Sequence, residues 1–380
     1  MEMIKKISTT YKREDKIDFI IDDDEDMSWI ANFDSKAFNR FFVVIDKKVK
    51  GLWGNLISKN LEKHNKEMFF FEVEAVEQSK SLDFYPELIK FLESHKCNLY
   101  DLVIAVGGGI IIDLVSFSVS TYMRGLPLIM IPTTLIGQMD ASTAGKTCLN
   151  TQNSKNVLGT FYYPFISYNN IHFLKTNTKY HLRQGYSEVF KYGLIDSKEL
   201  VELLERYGQE PDDNILMDII KRSIEARINI RKKHPLVSNL GHTFGHAIEK
   251  MSDFEILHGD AISVGTVIAL NFAEKNNLIE KEEKLRIIEL MKKIGLNIYL
   301  EKDIDIDKWV ELMMRDKKAS SDSVNLVLIN GIEKPYEKDG EIFFKTTPKI
   351  LKDFLKEFVE NYKYKIENCA AFLKKEKLEY

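Results

Sequence analysis

Two different hydrophobic patterns divide this sequence, and the division constrains the fold more than any other feature. Before about residue 178, apolar runs at 41–45, 102–106 and 126–131 alternate with helical patterns at 56–61 and 86–95. Apolar runs of this length fit strands that are covered on both faces, so we predict a parallel sheet. From about residue 180, the apolar residues recur with a helical period, at 186–194, 215–230, 243–251, 261–276 and 281–294.

The sequence therefore predicts an α/β protein of two domains. We expect an N-terminal Rossmann-like parallel-sheet domain over residues 1–178 and a C-terminal all-helical domain over residues 179–380. A late strand is predicted at 324–328, and a lysine-rich amphipathic helix with a surface tail at 348–380. A length of 380 residues also exceeds what one hydrophobic core usually organises.

Charge and cysteine content exclude several classes of protein. The 54 Lys and Arg residues and 58 Asp and Glu residues give a net charge of -4, so no basic field attracts nucleic acid or an anionic membrane. Cys97, Cys148 and Cys369 are far apart and one is left over from any pairing, which argues against a disulfide framework. Residues 1–15 lack the apolar stretch of a signal peptide, and no later run approaches about 18 apolar residues. We expect a cytoplasmic protein.

A glycine-rich turn follows the second predicted strand. Gly107, Gly108 and Gly109 precede the apolar segment 111–119. In this context glycines let backbone amides approach a pyrophosphate at a helix N-terminus. The spacing differs from the usual dinucleotide fingerprint, so a tight turn without a ligand is an equal alternative. Asp113 could contact a ribose or nicotinamide amide, or be a solvated carboxylate that favours the helix dipole.

Histidines and a glutamate in the second half form a candidate metal site. His242 and His246 are four residues apart and share one helix face, and His258 begins another helical segment. Glu188 lies on a third helical pattern, together with Lys191. Two histidines and one glutamate with an open coordination position are a common catalytic zinc set. The alternative is a group of hydrogen-bonded core histidines and a surface glutamate.

Polar residues on glycine-bearing loops, just after the nucleotide-binding half, suit a phosphate. These are Lys146, Lys155 and Asn156. Gly145-Lys146-Thr147 lacks the earlier glycine of a P-loop, so phosphate binding here would not be of the ATPase type. Solvated loop lysines are the alternative.

Taken in order, these segments resemble the dehydroquinate synthase family of sugar phosphate cyclases over about residues 43–328. The motifs that carry the resemblance are Gly107-Gly108-Gly109, Thr121-Tyr122-Met123-Arg124-Gly125, Ile131-Pro132-Thr133-Thr134, Gly145-Lys146-Thr147, Lys155-Asn156, Glu188-Val189-Phe190-Lys191-Tyr192-Gly193, residues 239–246, Leu257-His258-Gly259 and Asp316-Lys317-Lys318.

The resemblance implies NAD, zinc or a similar divalent metal such as cobalt, a small phosphorylated sugar as substrate, and a homodimer. It implies Glu188, His242 and His258 as metal ligands. Contacts to the substrate or its phosphate are implied for Lys146, Asn156, Asn239, His246 and a lysine of Lys317-Lys318, here taken as Lys318, with Arg124 offered across the dimer interface and Asp140, Lys155 and Lys191 lining the same cleft. NAD would be held by Asp46, Glu77, Lys80, Gly108, Gly109, Asp113, Thr133 and Thr134. The implied reaction is transient oxidation by NAD, β-elimination of phosphate, return of the hydride and aldol closure to a carbocycle.

One position departs from the family pattern. Dehydroquinate synthases carry an arginine for the substrate carboxylate four residues before Asn239, where this chain has Pro235. Proline offers no donor, and a buried carboxylate without a partner costs several kcal/mol. We therefore expect a substrate without that carboxylate, such as sedoheptulose 7-phosphate.

Other readings stay open at this point. Asn239 and His246 follow the dehydroquinate synthase pattern, which keeps 3-dehydroquinate synthase as the first alternative. A replacement cation could come from Arg227, Arg231, Lys232 or Lys233. A metal-dependent, NAD-linked polyol dehydrogenase is the second alternative, and a catalytically silent binding protein is the third.

Overall fold

A computed structural model describes Thr9 and residues 15–151, 154–315 and 322–378, except for the side chains of residues 154, 155 and 376–378. The strands are β1 Asp18–Asp22, β2 Arg40–Asp46, β3 Glu67–Val73, β4 Leu102–Gly107, β5 Leu128–Pro132, β6 Leu149–Thr151, β7 Ser154–Leu158, β8 Ile166–Asn170, β9 Leu300–Glu301, β10 Val324–Leu326, β11 Ile329–Gly331, β12 Lys334–Pro335, β13 Phe344–Thr346 and β14 Lys365–Ile366. The helices are α1 Trp29–Asn32, α2 Lys47–Glu62, α3 Tyr85–Ser94, α4 Gly109–Thr121, α5 Lys179–Asp196, α6 Lys198–Tyr207, α7 Asp213–Lys233, α8 His242–Met251, α9 His258–Lys275, α10 Lys281–Lys293, α11 Ile306–Met314, α12 Pro348–Asn361 and α13 Cys369–Leu378.

Six parallel strands form the sheet of the N-terminal half, in the order β1-β8-β5-β4-β2-β3. The central strands β2 and β4 are almost entirely buried apolar residues, as expected for strands covered on both faces. Helices α3 and α4 pack on one face, and α1 and α2 pack on the other. The chain reverses its direction of travel across the sheet between β2 and β4, and ligands of open α/β sheets bind outside the strand ends at such a point.

The C-terminal half is a helical domain around one apolar core. Helices α9, α5 and α7 contribute the largest shares of its buried residues, and the predicted helical segments coincide with α5 and α7 to α10, with ends that differ by a few residues. The core also takes in Leu135, Met139, Ile171 and Leu174 from the N-terminal half. The parallel sheet and the helical domain are therefore confirmed, while the boundary at residues 178 and 179 stays a prediction.

Some details differ from the sequence prediction. The third strand begins at Leu128, because Pro127 before it has no N–H to donate to a ladder. The helical domain also carries short ladders, β10 with β13, β11 with β12, and β9 with β14. The segment after Pro348 is two helices separated by β14, and Cys369 and Leu373 of the second helix are buried, so the described part of the tail is packed into the domain. Among the described residues, no helix has the length and apolar character needed to cross a membrane.

Candidate active site

Glu188, His242 and His258 come together from three helices. Glu188 lies in α5, His242 is the first residue of α8, and His258 is the first residue of α9. Nε2 of His242 lies 3.9 Å from Glu188 Oε1, and Nε2 of His258 lies 3.8 Å from the same oxygen. Residues that are far apart in sequence therefore present three potential ligand atoms to one point, within 4.8 Å of one another.

Close approach of the helices fixes where these side chains point. Gly241, just before His242, has a φ of 75°, a left-handed conformation that favours glycine. A Cβ atom on Gly265 of α9 would lie 2.1 Å from the carbonyl oxygen of Gly241, so only glycine allows α8 and α9 to pack this closely. Ser187 Oγ donates to the carbonyl of Gly259 at 2.7 Å, which ties the neighbours of Glu188 and His258 together.

The surroundings of Glu188 fit a divalent cation. Its side chain is 1% exposed, and Oε2 accepts a hydrogen bond from Lys191 Nζ. Oε1 has no hydrogen-bond partner among the described residues, although a buried carboxylate oxygen without a partner is costly. A divalent ion with bonds of about 2.1 Å separates its ligand atoms by about 3.4 Å, so a small contraction of this cluster would let all three atoms contact one ion and leave a coordination position open.

Hydrogen bonds orient both imidazole rings. Nδ1 of His242 is 3.1 Å from the carbonyl oxygen of Leu240, and Nδ1 of His258 is 3.3 Å from Oε2 of Glu249. If each Nδ1 carries the proton and donates it, each Nε2 presents a lone pair toward Glu188, which is the tautomer that a metal ligand needs. Burial, followed by Lys191 and the other two histidines, holds the pKa of His242 well below its usual value. Burial also acts to lower the pKa of His258, but Glu249 and Glu188 outweigh it and the pKa is raised.

His246 and Lys191 border the same cluster. The His246 ring centroid is 5.1 Å from that of His242 and 5.9 Å from that of His258. Lys191 is 2% exposed and its ammonium lies 4.6 Å from the centre of the Tyr192 ring. The structure thus places one cation and one further imidazole beside the three candidate ligands.

Asp140 belongs to a buried network beside this cluster. Its Oδ1 accepts hydrogen bonds from Tyr192 at 2.6 Å and from Arg227 Nε at 2.9 Å. Burial acts to raise the pKa of Asp140, but Arg227, Lys191 and the Tyr192 hydrogen bond outweigh it and hold the pKa at about 2. Asp140 is therefore an anion whose charge is already balanced by an arginine.

The glycine turn lies at the carboxyl end of β4. Gly108 is the residue before α4, and no side chain in the described part of the chain caps this helix, so its first amides can receive an anionic ligand. A Cβ atom on Gly108 would come within 3.1 Å of Thr134 Cγ2, so there is little room for a side chain between this turn and β5. Gly109 follows as the first residue of α4.

The other candidate NAD contacts surround this turn. Lys80 is ion-paired with Asp113, and burial raises the pKa of Asp113 despite this pairing. Asp46, at the end of β2, accepts the amide of Lys48 at 3.0 Å. The remaining residues are fixed by further hydrogen bonds: Glu77 Oε1 accepts from Asn150, Thr134 Oγ1 accepts from the Gly137 amide, and the Thr133 amide donates to Gly107.

The predicted phosphate-binding residues are more scattered. Arg124, Lys146 and Asn156 have exposed side chains in the N-terminal half, and Asn239 is half-buried with its amide nitrogen donating to the Leu236 carbonyl at 2.7 Å. Lys317, Lys318 and the side chain of Lys155 lie outside the described residues.

Sequence reasoning gave no role to Glu249, although its position seven residues after His242 and three after His246 puts it on their helix face.

Comparison with known proteins finds relatives of this chain among the 3-dehydroquinate synthases. Models of the N-terminal and C-terminal parts of 3-dehydroquinate synthase match residues 70–184 and 185–319. The 3-dehydroquinate synthase of Rippkaea orientalis is 33% identical over 311 residues, which cover 79% of this chain and 85% of that protein.

Solved structures share the fold at lower identity. A 2-deoxy-scyllo-inosose synthase complexed with carbaglucose-6-phosphate, NAD+ and Co2+ superimposes with a TM-score of 0.82 at 23% identity and covers 90% of this chain and 96% of its own. The 2-epi-5-epi-valiolone synthase of Streptomyces hygroscopicus, with NAD+ and Zn2+ bound, gives a TM-score of 0.82 at 24% identity and covers 93% of this chain and 99% of its own.

Proposed function

The chain belongs to the 3-dehydroquinate synthase family, and on that premise we propose that it is a sugar phosphate cyclase. It would use NAD and a divalent metal, Zn2+ or Co2+, to eliminate phosphate from a sugar phosphate and close a carbocycle. The observation that carries this proposal is the convergence of His242 and His258 on Glu188, whose buried Oε1 has no hydrogen-bond partner within the described residues.

Glu188, His242 and His258 would hold the metal. When bound, a divalent ion polarises the substrate oxygen that it contacts and makes oxidation of the carbinol easier. Lys191 donates to the second oxygen of Glu188, which directs Oε1 toward the imidazoles. The Nδ1 hydrogen bonds hold the two rings in the required orientation.

The turn at Gly108 and Gly109 would receive the pyrophosphate of NAD, which supplies a reversible hydride acceptor. Asp113, Lys80, Glu77 and Asp46 would contact its sugars or nicotinamide amide, and Thr133 and Thr134 would border the ring. The ion pair of Lys80 with Asp113 and the hydrogen bond from Asn150 to Glu77 support this role, because prepositioned polar groups lose little freedom when a ligand binds.

Phosphate would be held by a ring of cations and amides: Lys146, Lys155, Asn156, Asn239, His246 and Lys318, with Asp140 and Lys191 lining the cleft. His246 beside the cluster can hold or move a proton near the departing phosphate. Positive groups that are fixed before the reaction stabilise the leaving phosphate without reorganisation. The chain residues would thus contribute mainly positioning and electrostatics.

Arg124 would complete this ring from a second copy of the chain. Met123 and Arg124 have φ values of 49° and 65°, which are strained for residues with a side chain, and the Arg124 side chain is exposed. A strained turn that presents a cation outward fits a role across a dimer interface. We therefore propose a homodimer. Cys97, Cys148 and Cys369 form no disulfide with one another, which fits the reducing cytoplasm.

The substrate would lack the carboxylate of the usual keto acid phosphate. Pro235 stands where the family has an arginine, and the candidate replacement cations are mostly committed elsewhere. Arg227 pairs with Asp140, Arg231 donates to the Ala144 carbonyl and Lys233 pairs with Asp196, while Lys232 is exposed. A sugar phosphate such as sedoheptulose 7-phosphate needs no cation at this position.

3-Dehydroquinate synthase itself is the second candidate function. The relatives that match at 31–35% identity bear that name, and Asn239 and His246 match its motif. A simple NAD-linked polyol dehydrogenase is the third, since iron-containing alcohol dehydrogenases share the fold with TM-scores near 0.65. A dehydrogenase would not need the proposed phosphate-binding residues.

The experiment is a phosphate-release assay with NAD, Zn2+ and two sets of substrates, one with the carboxylate and one without. We expect release from a carboxylate-free sugar phosphate and little from the keto acid phosphate. Pro235→Arg should not improve turnover of the preferred substrate and should help only a carboxylate-bearing one. Efficient release from the keto acid phosphate by the parent enzyme, or a clear gain by Pro235→Arg on the native substrate, would contradict a carboxylate-free substrate.

A further inference from the structure

We propose that Glu249 is a positioning residue that orients His258 and sets the affinity of the site for its metal without being a ligand. This inference rests on the proposed function, because it takes Glu188, His242 and His258 as the metal ligands.

The two nitrogens of His258 face different carboxylates. Nδ1 lies 3.3 Å from Oε2 of Glu249, and Nε2 lies 3.8 Å from Oε1 of Glu188. The Glu249 side chain is only 8% exposed, so its charge is poorly screened by water. If Nδ1 donates its proton to Glu249, Nε2 is left as the lone-pair donor that points into the cluster.

The two histidine ligands differ in the charge of the group that faces their Nδ1 atom. The Nδ1 atom of His242 faces a neutral carbonyl at 3.1 Å, whereas that of His258 faces an anion. A carboxylate partner makes an imidazole a stronger donor than a carbonyl does. His258 is also the more exposed of the two rings, with 37% of its side chain accessible against 11% for His242. The ring that packing restrains less is thus the one with the stronger hydrogen-bond partner.

A second metal position is the competing reading of the same residues. His246, Glu249 and His258 also offer ligand atoms within 4.8 Å of one another. Two ions would then share His258, which would have to bind metal through both nitrogens and lose both ring protons. A neutral imidazole carries one N–H, so the geometry favours Glu249 as a hydrogen-bond acceptor for that proton.

The effect of substituting the Glu249 side chain on metal binding can be interpreted directly, because the backbone of Glu249 makes separate hydrogen bonds that the substitution keeps. Its carbonyl accepts the Phe254 amide at 2.8 Å and the Ser252 hydroxyl at 3.0 Å, and these bonds anchor the loop between α8 and α9. A change of side chain leaves them in place, so the partner of His258 is removed while the loop that leads to His258 keeps its anchor.

The test is the dissociation constant of Zn2+ from the full-length protein, measured by competition with a chelator for the parent, Glu249→Gln and Glu249→Ala. We expect one Zn2+ per chain in the parent and a dissociation constant roughly 10- to 100-fold higher in Glu249→Ala. Glu249→Gln keeps an acceptor of similar shape without the charge and should fall between them. Co2+ absorption spectra of the parent and Glu249→Ala should differ, because the orientation of one ligand changes.

Glu274→Gln is the matched control. Glu274 is another carboxylate, near the C-terminal end of α9, and it pairs with Lys284 at 2.6 Å, so its loss affects an ion pair away from the cluster. It should leave the Zn2+ dissociation constant unchanged. Thermal unfolding of each variant separates a weaker site from a weaker fold.

The outcomes separate this inference from the proposed function. Parent-like Zn2+ binding by Glu249→Ala, within about twofold, would overturn the positioning role while leaving the proposed function intact. Two Zn2+ per parent chain, with one lost in Glu249→Ala, would overturn it in favour of the second metal position. A parent protein that binds no Zn2+ or Co2+ would overturn the proposed function as well.

Discussion

Gly265→Ala should weaken both the fold and the metal site, because this glycine lies where α8 and α9 are closest. A Cβ atom there would sit 2.1 Å from the Gly241 carbonyl oxygen and 2.9 Å from the Gly245 nitrogen. Both neighbours are backbone atoms at the start of α8, so no side chain can swing away to make room. Ordinary contact begins at 3.4 Å, and the two helices would therefore have to separate by roughly 1 Å.

The cost follows from this separation. Overpacking of this kind destabilises a protein by about 1–3 kcal/mol, and the better helix propensity of alanine returns at most about 1 kcal/mol. We expect a net loss of about 2 kcal/mol and a lower melting temperature. His242 and His258 begin the two helices, so the same shift would move their rings apart and weaken Zn2+ binding.

The assay is urea denaturation together with Zn2+ competition. Gly51→Ala is the control, since Gly51 lies in α2 and a Cβ atom there would have no atom of the described residues within 4 Å, apart from its own helix backbone and chain neighbours. It should be as stable as the parent or more stable by up to about 1 kcal/mol, with Zn2+ binding unchanged. If Gly265→Ala and Gly51→Ala unfold at the same urea concentration, and Gly265→Ala binds Zn2+ as tightly as the parent, the close helix packing does not hold the site.

Two further predictions concern buried charge pairs. Arg40→Met should lower the free energy of unfolding by about 3 kcal/mol, because it removes both guanidinium hydrogen bonds to the fully buried Asp101 and leaves that carboxylate with the Asn98 amide but without its cation; a change below about 1 kcal/mol in urea denaturation would contradict this reading. Asp140→Asn should be less stable than the parent at neutral pH, and the difference should shrink as pH falls below about 4. The folded pKa of Asp140, at about 2, lies below its ordinary value of 3.8, so its stabilisation is present above that ordinary value and is lost toward the folded pKa. A difference that stays constant on acidification would refute this assignment.

The fold followed from local patterns that tertiary contacts reinforce. The apolar runs in β2 and β4 and the helical periods of α7 to α10 each signal one type of element, and the structure agrees with them. The structure of the segment after Pro348 was harder to predict, because its strand β14 pairs with β9, whose residues lie more than 60 positions earlier in the sequence. Long-range pairing of two-residue strands leaves no periodic signal.

The candidate site was predictable where its residues follow a local helical spacing, and not where its contacts join different helices. His242 and His246 are one helical turn apart, so their common face could be read directly, and the family motif added Glu188 and His258. Spacing could not reveal that Glu249 faces Nδ1 of His258, because that contact joins two helices. It also could not show that Arg227 is committed to Asp140, which only the packing of α7 against the turn at Gly137–Ala141 determines.

NADH absorbance and released phosphate, followed in one reaction, decide most directly whether this protein closes a carbocycle or only oxidises an alcohol. With a sugar phosphate that it accepts, we predict continuous phosphate release over many turnovers of each bound NAD, with no net NADH at the end. Glu188→Gln and His258→Ala should release no phosphate under the same conditions. Accumulation of one NADH for each substrate consumed, without phosphate release, would identify a dehydrogenase and contradict a cyclase.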